Sequence, residues 1–329
     1  MKKNNIGVLM MNLGTPDAPE TGAVRRYLRE FLSDRRVVDL TPLLWKPILN
    51  LIILTIRPPK VSKVYQQVWM DDGSPLLVLS QRLKDKLKIQ LTEEFPMPIA
   101  IELAMTYGNP SVEKAAQSLR EQGVNKILVL PMYPQFSSTT TAAAYDRLMR
   151  SLKSCPHWPE LHLLEDYADH PLYITALANS VKAQWELQGE RRHLVFSYHG
   201  IPKRYVGKGD PYQRRCELTS RLVAEELELD DQDWTHVYQS RFGREEWLKP
   251  YADETLRAMP EMGIKKINVI SPAFSIDCIE TLEEITLELG DEFKQHGGVA
   301  FDYIPALNDS SDQIALYMSL IEEHIKNWT

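Results

Sequence analysis

Cysteine is scarce in this chain: Cys155, Cys216 and Cys278 are the only three in 329 residues. They lie far apart, form no Cys-x-x-Cys pair and are odd in number. A zinc ribbon or a four-thiolate iron–sulfur cluster therefore has no evident ligand set, and the pattern suits a reducing compartment. Basic charge is in deficit too, with 38 Lys and Arg against 45 Asp and Glu, a net charge of −7. Such a chain has no overall electrostatic pull toward nucleic acid, and no nucleic-acid partner is expected. Long hydrophobic runs are missing. The most apolar stretch, residues 43–56, is broken by Lys46, Pro47 and Asn50 and falls short of the roughly 20 residues of a spanning helix. The basic N-terminus and the apolar run after it look at first like a signal peptide. Asn12, Gly14 and Pro16 cut that run short, and no small-residue cleavage site follows. A cytoplasmic location is expected, with residues 43–56 as a candidate peripheral contact at the inner membrane. Neither a GxGxxG nor a GxxxxGK[ST] phosphate loop is present.

What remains is an average globular composition, 43% hydrophobic and 25% charged, at a length that suits about two domains. Short runs rich in β-branched residues alternate with amphipathic stretches. Strands are expected at residues 6–11, 99–103, 127–130, 161–164, 194–198, 236–238, 267–270 and 299–304. Helices are expected between them, as at 76–91, 112–122 and 212–228. This alternation predicts an α/β fold with parallel sheets covered by helices. The chain also resembles itself. Gly123-Val-Asn-Lys-Ile-Leu-Val-Leu-Pro131 and Gly263-Ile-Lys-Lys-Ile-Asn-Val-Ile-Ser-Pro272 each lead into a loop and a helix. Two similar halves follow, with a boundary expected in residues 154–171.

In open α/β sheets, ligands bind beyond the carboxyl ends of the strands, and the unusual residues fall there. His199 ends a strand and is followed by the turn-forming Gly200 and Pro202. A neutral imidazole there could accept a proton or bind a metal; a lone histidine is more often a hydrogen-bonded structural group. After the 267–270 strand, Ser275 or Asp277 can cap a helix on which Glu280, Glu284 and Glu288 recur every four residues. That file of carboxylates could pass a hard cation inward or be a solvated acidic face. Trp247 offers a flat surface for an aromatic ligand or plain core packing. The hydroxyl-rich Pro131-Met-Tyr-Pro-Gln-Phe-Ser-Ser-Thr-Thr-Thr141 could do no more than cap a helix.

Taken together these segments resemble the ferrochelatases. The motifs are Ser197-Tyr-His-Gly-Ile-Pro with Gly207-Lys-Gly-Asp-Pro-Tyr212, Gln239-Ser-Arg-Phe-Gly with Trp247-Leu-Lys-Pro, and Phe274-Ser-Ile-Asp-Cys-Ile-Glu-Thr-Leu-Glu-Glu284. Met10-Met-Asn-Leu-Gly-Thr-Pro16, Met132-Tyr-Pro-Gln-Phe-Ser137 and the region from Arg57-Pro-Pro-Lys60 to Gly73-Ser-Pro75 extend the likeness over almost the whole chain. The resemblance implies the chelatase fold: two Rossmann-like domains, each a four-stranded parallel sheet flanked by helices, with a porphyrin cleft between them. Residues 1–160 would form the first domain with an apolar lip, and residues 161–308 the second with the metal-site histidine and glutamate. Residues 309–329 would be a helix packing back on the first.

It further implies insertion of Fe2+ into protoporphyrin IX to give protohaem, with His199 and Glu280 as catalytic and metal-binding residues. Asn12, Leu13, Arg57, Ser74, Tyr107, Trp247 and Phe274 would contact the porphyrin. Asp277, Glu284 and Glu288 would form a secondary acidic path, in the family carried on a locally widened helix. Iron and porphyrin would be substrates, with no permanent cofactor. There are departures. Many relatives have histidine at the place of Cys278, some have arginine at Thr106, and coproporphyrin users have tyrosine at Leu13, so an aliphatic residue there resembles the protoporphyrin branch. The chain ends at Thr329 without the cysteine-bearing extension of cluster-containing relatives, so no iron–sulfur cluster is expected. The rival readings are a tetrapyrrole carrier without chemistry, a chelatase for cobalt or another tetrapyrrole, and a sugar- or nucleotide-binding domain.

Overall fold

The computed structural model describes residues 5–153, 155–243 and 245–328; Ser154, the first residue of the expected boundary region, lies outside them. The chain forms two compact units. The first takes in the chain up to Tyr133, Ser138–Asp166 and the chain from Asp309; the second is Pro134–Ser137 with Tyr167–Asn308. Apart from the short excursion at Pro134–Ser137, the main chain passes from the first to the second at Asp166–Tyr167 and returns at Asn308–Asp309.

In the first unit β1 (Ile6–Thr15), β2 (Ile99–Gly108), β3 (Lys126–Pro131) and β4 (Glu160–Leu163) form a parallel sheet in the order β2-β1-β3-β4. The strands read as near-continuous apolar runs because helices cover both faces of such a sheet. Leu9, Met11, Ile127 and Val129 are buried against Leu119 and Leu148 of the covering helices. The last helix, Ser311–Ile325, starts on the Ser310 hydroxyl, which accepts from the Gln313 amide at 3.2 Å. It packs on helix Pro75–Glu94. Just beyond its end Trp328 donates from its indole to Glu160 Oε1 at 2.7 Å, beneath Lys126 Nζ.

In the second unit β5 (His193–His199), β6 (Trp234–Gln239), β7 (Lys266–Ile270) and β8 (Ala300–Ile304) repeat the arrangement as β6-β5-β7-β8, again all parallel. Val195, Val237, Ile267 and Val269 bury against Ile285 and Phe293. In both sheets the first strand is central, so the chain leaves it toward one side and later returns on the other. The carboxyl ends of β1 and β5 therefore stand at topological switch points. Asn12, Leu13 and Gly14 lie near one; His199 is the last residue of the other.

Among the described residues two helical stretches are π-helical, Ile48–Ile53 and Glu280–Leu289. The first joins Pro42–Pro47 to Leu54–Val68. In it Leu49 is buried, and Trp45 just before it is pinned by donation to the Leu32 carbonyl at 2.6 Å. Leu43, Leu44 and Leu51 stand 85%, 68% and 74% exposed. Among the described residues no helix is long and apolar enough to cross a membrane.

Candidate active site

β5, a central strand, carries His199 to the carboxyl end of its sheet, opposite Gln239 of β6. The imidazole Nδ1 lies 2.7 Å from the Gly200 carbonyl. A carbonyl can only accept, so Nδ1 carries the proton and Nε2 keeps its lone pair. The strand beneath is held by neutral bonds: the Ser271 hydroxyl donates to the Ser197 carbonyl at 2.6 Å, and the Tyr212 hydroxyl to the His199 carbonyl at 3.0 Å. Ser197 Oγ donates to Gln239 Oε1 at 2.6 Å, and Gln239 Nε2 reaches the Glu280 carbonyl at 3.5 Å. Gln239 thus spans from the histidine strand to the glutamate helix.

The loop after β5 is zipped to the loop after β6. Lys203 N–H donates to the Glu246 carbonyl at 3.0 Å and Leu248 N–H to the Ile201 carbonyl at 3.0 Å. This lays Trp247 beside His199, ring centroids 6.4 Å apart. A Cβ on Gly200 would stand 2.9 Å from the Gln239 carbonyl oxygen and 3.2 Å from Trp247 Cε3, so only glycine allows the approach. Lys203 and Lys249 flank Glu246, and Arg204 pairs with Glu245.

The acidic residues stand on the π-helix Glu280–Leu289. Neither Ser275 nor Asp277 caps it, contrary to the expectation from sequence. The Ser275 hydroxyl pairs with Tyr167 at 3.0 Å, and Asp277 is a buried carboxylate that accepts from Thr281, Tyr303 and Asn308. Glu280 and Glu284 are half-buried and Glu288 is exposed. Burial raises the Glu284 carboxyl above its ordinary range, and Glu280 and Glu288 add to this; the Ser240 hydroxyl, donating at 2.6 Å, pulls the other way, as does the His199 ring when it carries a proton on both nitrogens. From sequence Ser240 stands out only as a strand-end residue, and Glu283 has no assigned role. Burial and the charges of Glu288 and Glu284 push the Glu283 carboxyl up to about 7. In a π-helix residues i and i+5 are hydrogen-bonded neighbours, so Glu283 stands over Glu288, off the file that four-residue spacing picks out. Cys278 is buried; its thiol is pushed far up by burial and then by the Glu280 carboxylate, which keeps it protonated. Phe274 is half-buried, with its N–H donating to the Ser271 carbonyl at 3.1 Å.

In the first unit Asn12 is buried: its Oδ1 accepts from Leu13 N–H at 2.8 Å and its carbonyl from the Thr106 hydroxyl at 3.1 Å. Leu13 is half-buried. Arg57 is half-buried, which lowers the guanidinium from its ordinary value. Ser74 is buried as the cap of helix Pro75–Glu94, accepting from Leu77 N–H at 3.4 Å. Tyr107 is buried, its hydroxyl donating to Asp34 at 3.1 Å; burial and that carboxylate push its pKa up.

A sequence profile of ferrochelatase matches residues 5–325. The chain belongs to the ferrochelatase family. It is 78% identical over 326 residues to a ferrochelatase of Marinomonas sp. (strain MWYL1), covering 99% of each chain. It is 51% identical over 328 residues to a ferrochelatase of Photobacterium profundum, covering 100% of each. Among solved structures this ferrochelatase-family chain resembles SirB from Bacillus subtilis with Fe3+, at TM-score 0.57 and 10% identity over 98% of this chain and 97% of that one. It also resembles CbiX, the terminal enzyme for biosynthesis of siroheme in denitrifying bacteria, at TM-score 0.51 and 12% identity over 97% and 99%. At such identities the likeness is one of fold, two parallel four-stranded sheets flanked by helices.

Proposed function

We propose that this chain is a cytoplasmic lyase that inserts Fe2+ into protoporphyrin IX to give protohaem, releasing two protons, at the last step of haem synthesis. The observation that carries this reading is full-length identity of 78% to a ferrochelatase, in a chain whose strand-end histidine keeps a free Nε2 lone pair within electrostatic reach of a glutamate-bearing helix. A free-base porphyrin holds two pyrrole N–H protons that must leave as the metal enters. In this reading His199 Nε2 accepts them one at a time, passing the first to solvent before the second leaves, a task that suits an imidazole working near neutral pH. Glu280 is the metal ligand, and Glu284 and Glu288 bring the cation to it. Asp277 belongs to the secondary acidic path through its hold on that helix. Trp247 and Phe274 present aromatic surface to the macrocycle. Asn12, Leu13, Ser74 and Tyr107 complete the porphyrin contacts, and Arg57 pairs with a propionate. The aliphatic Leu13 favours protoporphyrin over a more polar ring. Iron and porphyrin are both substrates, so the reaction needs no resident cofactor. A tetrapyrrole carrier would need the macrocycle contacts but neither the imidazole nor the carboxylates.

The test is anaerobic insertion with purified chain, protoporphyrin IX and Fe2+, followed by loss of free-base fluorescence and growth of the haem spectrum. Turnover is expected in the wild type and should fall about 10²–10⁴-fold in His199→Ala, with porphyrin binding retained. Full turnover in that variant would remove His199 from the chemistry. Tight porphyrin binding without turnover in the wild type would favour the carrier. A peripheral role for residues 43–56 is also proposed: their exposed leucines, with Lys46, Lys60 and Lys63 nearby, would rest on an anionic bilayer.

A further inference from the structure

One buried carboxylate at the root of the π-helix gathers four hydrogen bonds. Asp277 Oδ1 accepts from the Thr281 hydroxyl at 2.8 Å, the Tyr303 hydroxyl at 2.8 Å and the Ala306 N–H at 3.3 Å. Asp277 Oδ2 accepts from Asn308 Nδ2 at 2.7 Å. Asn308 also receives a bond: its Oδ1 accepts from the Asp277 N–H at 2.8 Å, while its own N–H donates to the Ser275 carbonyl at 2.9 Å. The amide therefore grips Asp277 at both main chain and side chain, using its acceptor and one of its donors. All four donors to the carboxylate are neutral, and the two nitrogens among them, Ala306 N–H and Asn308 Nδ2, are fixed in direction, so they orient it as well as offsetting its desolvation.

The grip lies where it can set the position of Glu280. Asp277 and Thr281 are bonded to each other across the first turn, and Glu280 lies between them. The backbone adds an independent sign. Among the described residues three non-glycines hold a positive φ: Glu228, Ser240 and Asn308, the last at 51°. This conformation is disfavoured for Glu228 and Ser240, whereas asparagine adopts it more readily than most residues with a side chain, so position 308 suits the residue it holds. Two of the three bond to the acidic segment, Ser240 to Glu284 and Asn308 to Asp277.

We propose that Asn308 is a positioning residue for iron capture: through Asp277 its side-chain amide fixes where Glu280 stands, and so the affinity for the incoming cation, without touching the porphyrin. The inference rests on the reading of Glu280 as the metal ligand. Removing an outer partner that orients a metal ligand typically costs 10–100-fold in metal affinity.

The experiment is anaerobic steady-state kinetics of the full chain, with Fe2+ and protoporphyrin IX varied separately, in Asn308→Gly, Tyr303→Phe, Glu280→Gln and the Asn308→Gly/Glu280→Gln pair. Glycine accepts the positive φ at little strain, so Asn308→Gly removes the amide bonds and leaves the turn. The expected result is a KM for Fe2+ raised about 10–100-fold, with the porphyrin KM essentially unchanged and Tm lowered by a few degrees, since a buried carboxylate loses one partner. Tyr303→Phe, which loses one of the four bonds, should move the same KM in the same direction by less. In the pair, Asn308→Gly should add nothing to the effect of Glu280→Gln, because the ligand being positioned is already gone. A raised KM for Fe2+ in Glu280→Gln with an unchanged one in both Asn308→Gly and Tyr303→Phe would overturn the proposal alone. An unchanged KM for Fe2+ in Glu280→Gln would overturn the ligand reading and the proposal with it. A common fall in Tm and in both substrate affinities would reduce Asn308 to a structural residue.

Discussion

Glu283 shows how a backbone change moves a charge into an unfavourable place. Its carboxyl is held at about 7 by partial burial and by Glu288 and Glu284, against an ordinary value of 4.5. A raised carboxyl means that the fold disfavours the ionised form. At pH values below about 4.5 the group is protonated in folded and unfolded chains alike, and no penalty arises. The penalty grows as pH rises toward 7 and is complete above it. Glu283→Gln, which mimics the protonated form, should therefore raise Tm at pH 8 by about 2 °C and by clearly less at pH 5. The gain is kept small because the group is partly open to solvent. Thermal melts of both proteins at the two pH values decide it; an equal gain at pH 5 would mean that the glutamine repacks and that charge is not the cause.

At the scale of elements, the site depends on how closely two loops approach. The strands after which they come were legible in sequence because parallel strands covered on both faces are continuous apolar runs, and all eight lie where those runs do, within a few residues. His199 was legible as a strand-end residue before a glycine turn. What spacing could not give is the pairing of the 200–204 loop with the 245–248 loop, since loop contacts have no period. Nor could it give the role of Glu283, because four-residue spacing assumes an α-helix and the helix is wider. The cap expected from Ser275 or Asp277 failed for a related reason: Asp277 has tertiary partners in Tyr303 and Asn308 that local sequence does not reveal. The loop pairing has a testable hinge at Gly200. A methyl there meets the Gln239 carbonyl at 2.9 Å and the Trp247 ring at 3.2 Å. Gly200→Ala should lower stability by about 1–3 kcal/mol and raise the porphyrin KM about ten-fold, a displacement of Trp247 being enough for that. Denaturant unfolding and steady-state kinetics report the two effects; unchanged porphyrin binding would detach Trp247 from the substrate.

For the whole molecule, the unsolved surface is the apolar one. The chain carries a net charge of −7, so its general field repels an anionic bilayer. Any attraction must be local, and residues 42–63 supply it. The first helical turns leave Leu43, Leu44 and Leu51 largely open, with Ile52 and Ile56 half-exposed, and Lys46, Lys60 and Lys63 are exposed along the same stretch. So many exposed apolar side chains on one short stretch suit a partner or a membrane. Fully burying a leucine is worth about 1.5–3 kcal/mol, so losing two should weaken partition at least about 100-fold. Wild-type protein is expected to float with vesicles of phosphatidylcholine and phosphatidylglycerol, more weakly at high salt, and Leu43→Glu/Leu51→Glu should stay in the soluble fraction. Insertion into porphyrin dissolved in detergent should be the same in both, because the substitutions lie outside the residues assigned to the chemistry. A wild type that fails to float, yet sediments as a dimer that the double variant converts to a monomer, would give the leucines to a second copy of the chain and leave the membrane without a contact.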